Sequence, residues 1–215
     1  MSSQIKILRL IRSGSRVKIV LSNSDQLLVV SEETVHRHRL VEGVVITQSQ
    51  HDVLRQESEM FRCDSEAARL LALRQHSVGE LRSKLKRRQF VATVIDDVVR
   101  KYRRQGVLDD AQYAYKLAQK MVENRPCGMA YLMAYLQKKM IDRSLAEQTA
   151  QMVLSRSDES DRAIAALHRR WAQLSQFELE TARNKAYNYL ARRGFSYDAA
   201  RKAFEKLSNS LEKDN

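Results

Sequence analysis

The chain has 215 residues, and 43% of them are hydrophobic, which is enough to bury a sizeable core. Its formal net charge is +12, and this excess indicates a polyanionic partner or an acidic groove on another protein. No apolar run has transmembrane length and no signal-peptide core follows Met1, which argues against a membrane or secreted protein. Cys63 and Cys127 are isolated and lack metal-ligand spacing, so we expect reduced, inert thiols, no metal, no cofactor and a cytoplasmic location.

The N-terminal segment has the period of β-strands. Polar and apolar residues alternate over residues 4–11 (QIKILRLI) and 16–21 (RVKIVL), and a third apolar run follows at residues 26–30. Turn signals at residues 13–15 (SGS) and 23–25 (NSD) separate the three runs. The pattern predicts a small β-rich module, which is too small for an independent core and should pack on the first helices.

Helical signals begin at Ser31, which has the position of an N-cap before two acids. Residues 49–52 have the character of a capping-box start for a helix that links the module to the rest of the chain. The basic excess lies mostly beyond this point. Residues 1–61 contain 8 Lys or Arg and 7 Asp or Glu, whereas the remaining 154 residues contain 30 and 19.

One pattern occurs three times, at residues 85–90 (LKRRQF), 136–141 (LQKKMI) and 190–195 (LARRGF). Each copy reads as an apolar residue, any residue, two cations, any residue and a large apolar residue. The copies start about 50 residues apart, a period typical of stacked helical units. A repeated surface suits binding along a long or periodic partner better than it suits chemistry at a single site.

Each copy lies within a predicted triplet of short helices. Ser77 and Glu80 have the spacing of a capping box before the middle helix of the first triplet, and Gly106 fits a left-handed residue after its last helix. In the second triplet Asp110 is the predicted N-cap of the first helix, and in the third the first helix should begin near Ser160.

The leucine that opens each copy is the predicted core residue of its triplet. Leu85, Leu136 and Leu190 should therefore be buried equivalents. We expect truncation of Leu190 to cost least, because the residue four positions earlier is the small Ala186 and the neighbouring core is smaller.

These patterns predict a mainly α fold: three tandem three-helix, helix-turn-helix-like repeats preceded by a small β-rich N-terminal module. Strands are expected in the module and not in residues 64–207. The predicted boundaries are residues 1–48 for the module, 49–110 for the linker helix and first repeat, 111–157 for the second repeat and 158–215 for the third.

Cations near the middle and last helices of the repeats are the candidate partner-binding residues, because equivalent cations would form spaced positive patches for acidic protein or phosphate. For each cation pair taken alone, stabilisation of a helix C-terminus by the macrodipole explains the charge equally well. The candidate set is Arg82, Lys84, Lys86, Arg87, Arg88, Lys101, Arg103, Arg104, Lys138, Lys139, Arg183, Lys185, Arg192 and Arg193.

The sequence gives little support for an enzyme, and we predict no catalytic residues. Asp109 and Asp110 are better explained by helix capping than by paired-carboxylate chemistry or a metal site. His36 and His38 would diverge on a helix, which argues against a shared metal site. There is no Gly-rich phosphate loop, so ATP hydrolysis by this chain is not expected. The tyrosines and Trp171 could stack on bases, but aromatic residues at helical spacing more often pack in cores.

The chain resembles a family, the RecX regulators of the bacterial recombinase RecA. The resemblance lies in residues 74–85 (RQHSVGELRSKL), in residues 106–114 (GVLDDAQYA), which are the most specific part, and in the third copy of the repeated pattern. Arg125, Gly128 and Leu132 fit the second repeat of the family, and the whole resemblance extends over residues 65–207.

Two positions depart from the family pattern. Most copies in the family keep a glycine between the second cation and the closing apolar residue, whereas this chain has Gln89 and Met140 there in its first two copies. We therefore expect those two turns to differ in shape from the third. The β-rich module occurs in some members of the family and not in others, and we assign no function to it.

The resemblance implies a non-enzymatic, modular protein that lies along the groove of a RecA–single-stranded-DNA filament. Such proteins limit filament growth or promote disassembly, and they reduce ATP hydrolysis and strand exchange. This would place the chain in the regulation of recombination, in DNA repair and in the SOS response. The implied partners are a RecA-type filament and the phosphate backbone of single-stranded DNA, with duplex DNA left open; we expect a monomer and no membrane.

An alternative from a different class is a helix-turn-helix protein that binds DNA directly, as a repressor or an architectural protein. A sequence-specific reader usually concentrates base-contacting side chains on one recognition helix and dimerises on half-sites. Here the basic residues are spread over three non-identical repeats, which favours extended contact with a backbone or with protein.

Overall fold

A computed structural model describes residues 4–22 and 24–211 of the chain. Asn23, in the second predicted turn, lies outside the described residues. The N-terminal part is an antiparallel four-stranded sheet in the order β3-β2-β1-β4. Its strands are β1 (Ile5–Ser13), β2 (Arg16–Leu21), β3 (Ser24–Ser31) and β4 (Val45–Ile46).

Alternation along the strands explains why this segment forms a sheet. Val17, Ile19 and Leu21 point to one face of β2 and are buried, while the residues between them face outward. The sheet core also contains Leu54, which belongs to the helix that follows, so the module packs on that helix as the sequence predicted. Ser31 ends β3 and caps α1 (Glu32–Arg37), where its hydroxyl accepts a hydrogen bond from the Thr34 N–H.

Helix α2 (Gln48–Leu73) is the link that the sequence predicted, and it continues without a break into the first repeat. Together with α2, the eight helices that follow form three triplets. They are α3 (Val78–Arg87), α4 (Ala92–Arg104), α5 (Asp110–Asn124), α6 (Met129–Lys138), α7 (Arg143–Leu154), α8 (Glu159–Leu174), α9 (Leu179–Arg192) and α10 (Tyr197–Leu211).

The predicted fold class is confirmed: the helices form three consecutive triplets, and every described strand lies at or before Ile46. The chain divides into two compact units. One contains the residues up to His76 and Leu81–Leu108, and the other contains Ser77–Glu80 and the chain from Asp109 onward. Among the residues that the structure describes, no helix is both long and apolar enough to cross a membrane.

Several helix starts differ from the sequence prediction. Helix α2 is capped by Thr47, which forms a reciprocal capping box with Gln50, and not by a residue of the 49–52 segment. Asp109, and not Asp110, is the N-cap of α5, and Asp158 caps α8 slightly ahead of the predicted start. In each case the predicted residue lies just inside the helix, where an acid also interacts favourably with the helix dipole.

The capping box before α3 is confirmed. The Glu80 N–H donates to the Ser77 hydroxyl at 3.0 Å, and the Ser77 N–H donates to the Glu80 carboxylate at 3.3 Å. Asp110 contributes to the same place, because its carboxylate accepts a hydrogen bond of 2.8 Å from the Val78 N–H. The two acids of the Asp-Asp pair therefore have separate structural roles, since Asp109 caps α5 and Asp110 binds the start of α3.

The middle helix of every triplet ends in the same left-handed turn. Gln89, Met140 and Gly194 have φ angles of 65°, 54° and 76°. In all three turns the N–H of the closing apolar residue reaches back to the carbonyl of the leucine five positions earlier, which is the bond of a Schellman motif. Our expectation that the first two turns would differ in shape is wrong, because Gln89 and Met140 adopt the conformation that the glycine would have provided.

Consecutive repeats are joined at equivalent positions. Ser77 and Gly128 lie eight residues before the leucine of their copies, and each donates a hydrogen bond to the carbonyl three residues after the leucine of the next copy. The Ser77 hydroxyl binds the Lys139 carbonyl at 2.6 Å, and the Gly128 N–H binds the Arg193 carbonyl at 2.9 Å. Both contacts place the start of one middle helix against the left-handed turn of the following repeat.

These contacts leave no space for a Cβ atom on the glycines near the start of the middle helix. A Cβ atom on Gly79 would lie 2.6 Å from the Met140 Cβ, and a Cβ atom on Gly128 would lie 1.8 Å from the Gly194 oxygen. The backbone of Gly128 itself, with φ −92° and ψ 179°, would accept any residue. Its glycine is therefore required by the neighbouring turn and not by its own conformation.

The equivalence of the three leucines predicts mutational costs within one range, with Leu190 at its lower end. Leu85, Leu136 and Leu190 are each 0% exposed, as the sequence predicted. Replacing any of them with Ala should lower the free energy of unfolding by about 2–5 kcal/mol, measured by urea denaturation, because the cavity collapses only in part. Leu73, which is 70% exposed, provides the matched control, and Leu73→Ala should change stability little. No loss for Leu136→Ala would contradict the assigned core.

The inter-repeat contact predicts a large effect for Gly128→Ala. Overpacking against the fixed Gly194 carbonyl should destabilise the chain by at least the ~1–3 kcal/mol usual for an added methyl group in a full site. Gly106→Ala is the control: its φ is +70° but nothing lies within 4 Å of an added Cβ, so its cost should be limited to about 1–2 kcal/mol of backbone strain. Thermal melts in which Gly106→Ala is the more damaging of the two would refute the proposed role of this contact.

Candidate partner-binding surface

The two cations of each repeated pattern have different environments. We call Arg87, Lys138 and Arg192 the first cations, because each directly precedes its partner in the pair. The first cations are exposed, and none forms an ion pair with a described residue. The Arg192 guanidinium donates to the carbonyl of Asn188 in its own helix. The first cations therefore keep their charge available to a partner.

The second cations, Arg88, Lys139 and Arg193, are used within the protein. Arg88 forms an ion pair of 2.7 Å with Glu66, a carboxylate whose side chain is only 15% exposed. The Lys139 carbonyl binds Ser77, and the Lys139 ammonium lies 6.0 Å from the centre of the Tyr135 ring. The charges of Arg88 and Arg193 thus have structural partners, whereas Lys139 contributes its backbone carbonyl and its ammonium is near only the Tyr135 ring.

Arg193 is the most engaged of the second cations. Its guanidinium donates to the carbonyls of Pro126 at 3.0 Å and Arg125 at 2.8 Å, which begin the connection after α5. The same guanidinium lies over two aromatic rings, with 5.3 Å to the centre of Tyr131 and 5.9 Å to that of Tyr189. Arg193 thereby links the end of α9 to the start of the preceding middle helix.

Aromatic and basic side chains meet in a cleft of about 590 Å³ beside Arg193, which we call the repeat-3 cleft. Lys185 lies 4.3 Å from the centre of the Phe177 ring, and Arg170 lies 5.1 Å from that of Tyr189. No acid is among the residues that line this cleft. They are Tyr131, Arg170, Gln173, Leu174, Phe177, Lys185, Asn188, Tyr189, Arg192 and Arg193.

The sequence prediction found part of this cleft. Lys185, Arg192 and Arg193 were in the candidate set, whereas Arg170 was missed because no repeat or motif distinguishes it from other surface cations. The sequence leaves base stacking open for the tyrosines but favours core packing, and Tyr131 and Tyr189 do pack on the repeat cores while also lining the cleft. A signal existed, since a tyrosine precedes the second cation by four residues in both the second and the third repeat.

The remaining candidate cations fall into two groups. Arg82 pairs with Asp96, Lys101 with Asp64 and Arg183 with Glu180, so these charges are partly neutralised. A cleft of about 510 Å³ collects Arg82, Arg100, Arg103 and Arg104 around Asp96 and Val99 in the first repeat. Five members of the candidate set outside the cation pairs form no ion pair within the described part of the chain: Lys84, Lys86, Arg103, Arg104 and Lys185.

Neither thiol has the environment of a nucleophile. Cys63 and Cys127 are buried. Burial, with the nearby Asp64 and Glu59 carboxylates, raises the pKa of Cys63 to about 12, and burial raises the pKa of Cys127 against the opposing charges of Arg193 and Arg162. Within residues 4–22 and 24–211, no three His, Cys, Asp or Glu side chains are grouped so that they could hold a metal ion.

The different environments of Arg192 and Arg193 predict different effects on stability. Arg193→Ala removes two hydrogen bonds to the carbonyls of Arg125 and buried Pro126, so it should lower the free energy of unfolding by about 1–3 kcal/mol. Arg192→Ala removes an exposed side chain and should stay within about 0.5 kcal/mol of the parent. Urea denaturation compares the two directly, and equal losses would refute the division between first and second cations.

Comparison with known proteins places two of the three repeats in one family. The model of the third three-helix domain of RecX matches residues 157–204, and that of the first three-helix domain matches residues 65–101. The Regulatory protein RecX of Trichlorobacter lovleyi is 30% identical over 145 residues, which cover 67% of this chain and 94% of the relative. The protein of the same name from Pelodictyon phaeoclathratiforme is 28% identical over 141 residues, which cover 66% and 86%.

A solved structure, the crystal structure of regulatory protein RecX, has the same fold. The TM-score is 0.69 at 18% identity, and the match covers 95% of this chain and 99% of the other. Because so much of this chain is covered, the likeness includes most of the β-rich module as well as the helical repeats.

Proposed function

The chain belongs to the RecX family of regulatory proteins, and we propose that it regulates a RecA-type recombinase by binding along the groove of the RecA–single-stranded-DNA filament. Binding there would limit filament growth, ATP hydrolysis and strand exchange. The observation that carries this proposal is the repetition of an exposed first cation beside the same left-handed turn in three repeats. A periodic partner with acidic side chains and phosphates offers a matching contact to each of them.

The relation between the repeats also supports contact along an extended partner. Each repeat contributes only a few unpaired charges, and an isolated exposed charge contributes little binding energy. Repeats joined by short connections gain from a high effective concentration, so several weak contacts produce a useful affinity together. We propose that the acting form is a cytoplasmic monomer without a cofactor, whose effect comes from binding and not from catalysis.

Direct DNA binding is the second candidate function, and the repeat-3 cleft favours it. Aromatic rings with cations above them suit an unpaired base and its phosphate, and such a contact is insensitive to sequence. In the filament proposal the same cleft contacts the DNA strand inside the filament. The two functions predict different results on preformed filaments when no free DNA is present. A filament regulator inhibits the recombinase ATPase directly, whereas a DNA-binding protein inhibits it only by competing for DNA.

Reversing the charge of the first cations should separate the two functions. The variant Arg87→Glu with Lys138→Glu and Arg192→Glu should lose inhibition of recombinase ATPase on preformed filaments with free DNA absent. The loss should exceed the sum of the three single variants, because the contacts are multivalent, and it should shrink at higher salt, where screening also weakens the contacts of the parent. Thermal melting should shift little, because all three side chains are exposed.

The control carries the same change of charge at other exposed positions: Arg55→Glu with Lys120→Glu and Lys206→Glu. None of these three side chains forms an ion pair with a described residue. The control should retain inhibition. Equal inhibition by both triple variants and the parent would refute binding through the first cations, and selective loss of affinity for bare duplex would favour the direct DNA-binding function.

A further inference from the structure

The β-rich module forms one wall of a basic cleft of about 430 Å³, which we call the sheet cleft. Strands β2 and β3 lie on one side, α2 on another, and the turn after α3 closes one end. All of these elements belong to the first compact unit. The lining residues are Arg16, Lys18, Val29, Phe61, Arg62, Ser65, Glu66, Arg69, Arg88 and Phe90.

The sheet side of the cleft follows from strand alternation. Val17 and Ile19 are buried in the sheet core, so Arg16 and Lys18 point to the opposite face of β2. Lys18 lies across from Val29 in the β2–β3 register, which puts both side chains on the cleft face. The fold itself therefore directs these two cations into the cleft.

Helix α2 is fixed against the edge of this sheet. The Val29 N–H on edge strand β3 donates a hydrogen bond of 2.8 Å to the hydroxyl of Ser58, a buried residue of α2. From that point the helix presents Phe61, Ser65 and Arg69, spaced at four-residue intervals, to the cleft.

One carboxylate organises the arginines at the far end. The Glu66 carboxylate accepts hydrogen bonds of 2.8–3.2 Å from Arg69. It also forms an ion pair of 2.7 Å with Arg88. The hydrogen bonds from Arg69, together with the charge of Arg88, hold the pKa of Glu66 below its ordinary value, so the carboxylate stays ionised. A single negative charge thus positions two guanidinium groups, and their combined charge remains positive.

The charges in the sheet cleft are far from balanced. Five cations line it against one acid, a net charge of four positive. Within the described residues Arg16, Lys18 and Arg62 form no ion pair. Like charges that converge in a cleft repel one another, and an anion that enters between them removes this cost.

We propose that the sheet cleft binds a single-stranded nucleic acid, with the phosphodiester backbone against Arg16, Lys18 and Arg62 and a base against Phe61 and Phe90. The two phenylalanine side chains are half-buried in the lining. An unpaired base presents an apolar face to such rings, whereas an acidic peptide has no equivalent group and a duplex keeps its bases stacked. The volume is within the range of pockets that hold a small ligand, which accommodates a nucleotide unit.

This inference deepens the proposed function by giving the N-terminal module its own contact with the DNA strand. Its test needs no recombinase, so its failure can be distinguished from failure of the filament proposal. A regulator with contacts in both compact units would hold a longer stretch of strand than the repeats alone, and its affinity should depend on strand length accordingly.

Charge reversal on β2 tests the sheet cleft. The full chain is titrated into a fluorescent oligodeoxythymidine, and binding is followed by anisotropy at several salt concentrations. Arg16→Glu with Lys18→Glu should weaken binding at least ~10-fold and reduce the salt slope of log K by about 1.4, since each phosphate contact on a single strand contributes about 0.7. The matched control is Lys6→Glu with Arg9→Glu, two exposed residues of the same sheet that do not line the cleft.

The control should bind nearly as the parent does, with an unchanged salt slope. Equal losses in both double variants would overturn the proposal in favour of a general effect of net charge. Loss of polyglutamate binding with unchanged oligonucleotide binding would overturn it in favour of an acidic protein partner. Phe61→Leu, which keeps an apolar side chain but removes the ring, should weaken binding several-fold, and no effect would overturn the base contact.

Discussion

The left-handed turn after each middle helix is the constraint on which the helical part of the structure depends. It ends the helix and returns the closing apolar residue toward the core, and in the second and third repeats it also turns a backbone carbonyl toward the preceding repeat. That carbonyl accepts the hydrogen bond from Ser77 in one case and from Gly128 in the other. Folding within a repeat and contact between repeats therefore use different backbone groups of the same short turn.

This shared use explains which positions tolerate a side chain. Gln89 and Met140 adopt a positive φ at a cost of about 1–2 kcal/mol each, which the Schellman hydrogen bonds and the packing of the closing residue offset. Gly79 and Gly128, at the start of the adjoining middle helices, lie against the turn at distances that leave no space for a Cβ atom. In the third repeat the turn is equally restricted, because a Cβ atom on Gly194 would lie 2.6 Å from the Tyr131 nitrogen.

The same geometry divides the cation pairs. A residue two positions after the opening leucine points away from the turn, so Arg87, Lys138 and Arg192 remain exposed. The next residue lies in the turn, and two of the three find an internal partner: Glu66 for Arg88, and the carbonyls of Arg125 and Pro126 for Arg193. The exposed cation proposed for binding is thus adjacent in sequence to the cation with internal contacts. A double substitution would change both partner binding and stability, so the two effects could not be separated.

Local order in this chain could be predicted from the sequence because its causes are local. Alternation identified the strands, helical periodicity and the threefold pattern identified the repeats, and the buried leucines followed from their register. The resemblance to the RecX family could also be recognised from the sequence, because the residues that carry it form short continuous runs. Cap positions were shifted by one to three residues, because several Ser, Thr and Asp residues compete near each helix start and local pattern does not rank them.

Only the tertiary structure decided which charges are free and which are used. Glu66 and Arg88 are 22 positions apart, and Arg193 meets carbonyls 67 and 68 positions earlier, so no local pattern indicates either contact. The sheet cleft and the repeat-3 cleft arise in the same way, from side chains that packing brings together across distant elements. Sequence determined the elements and their buried faces, because these depend on periodicity; the binding surfaces depend on distances through space, which the fold alone sets.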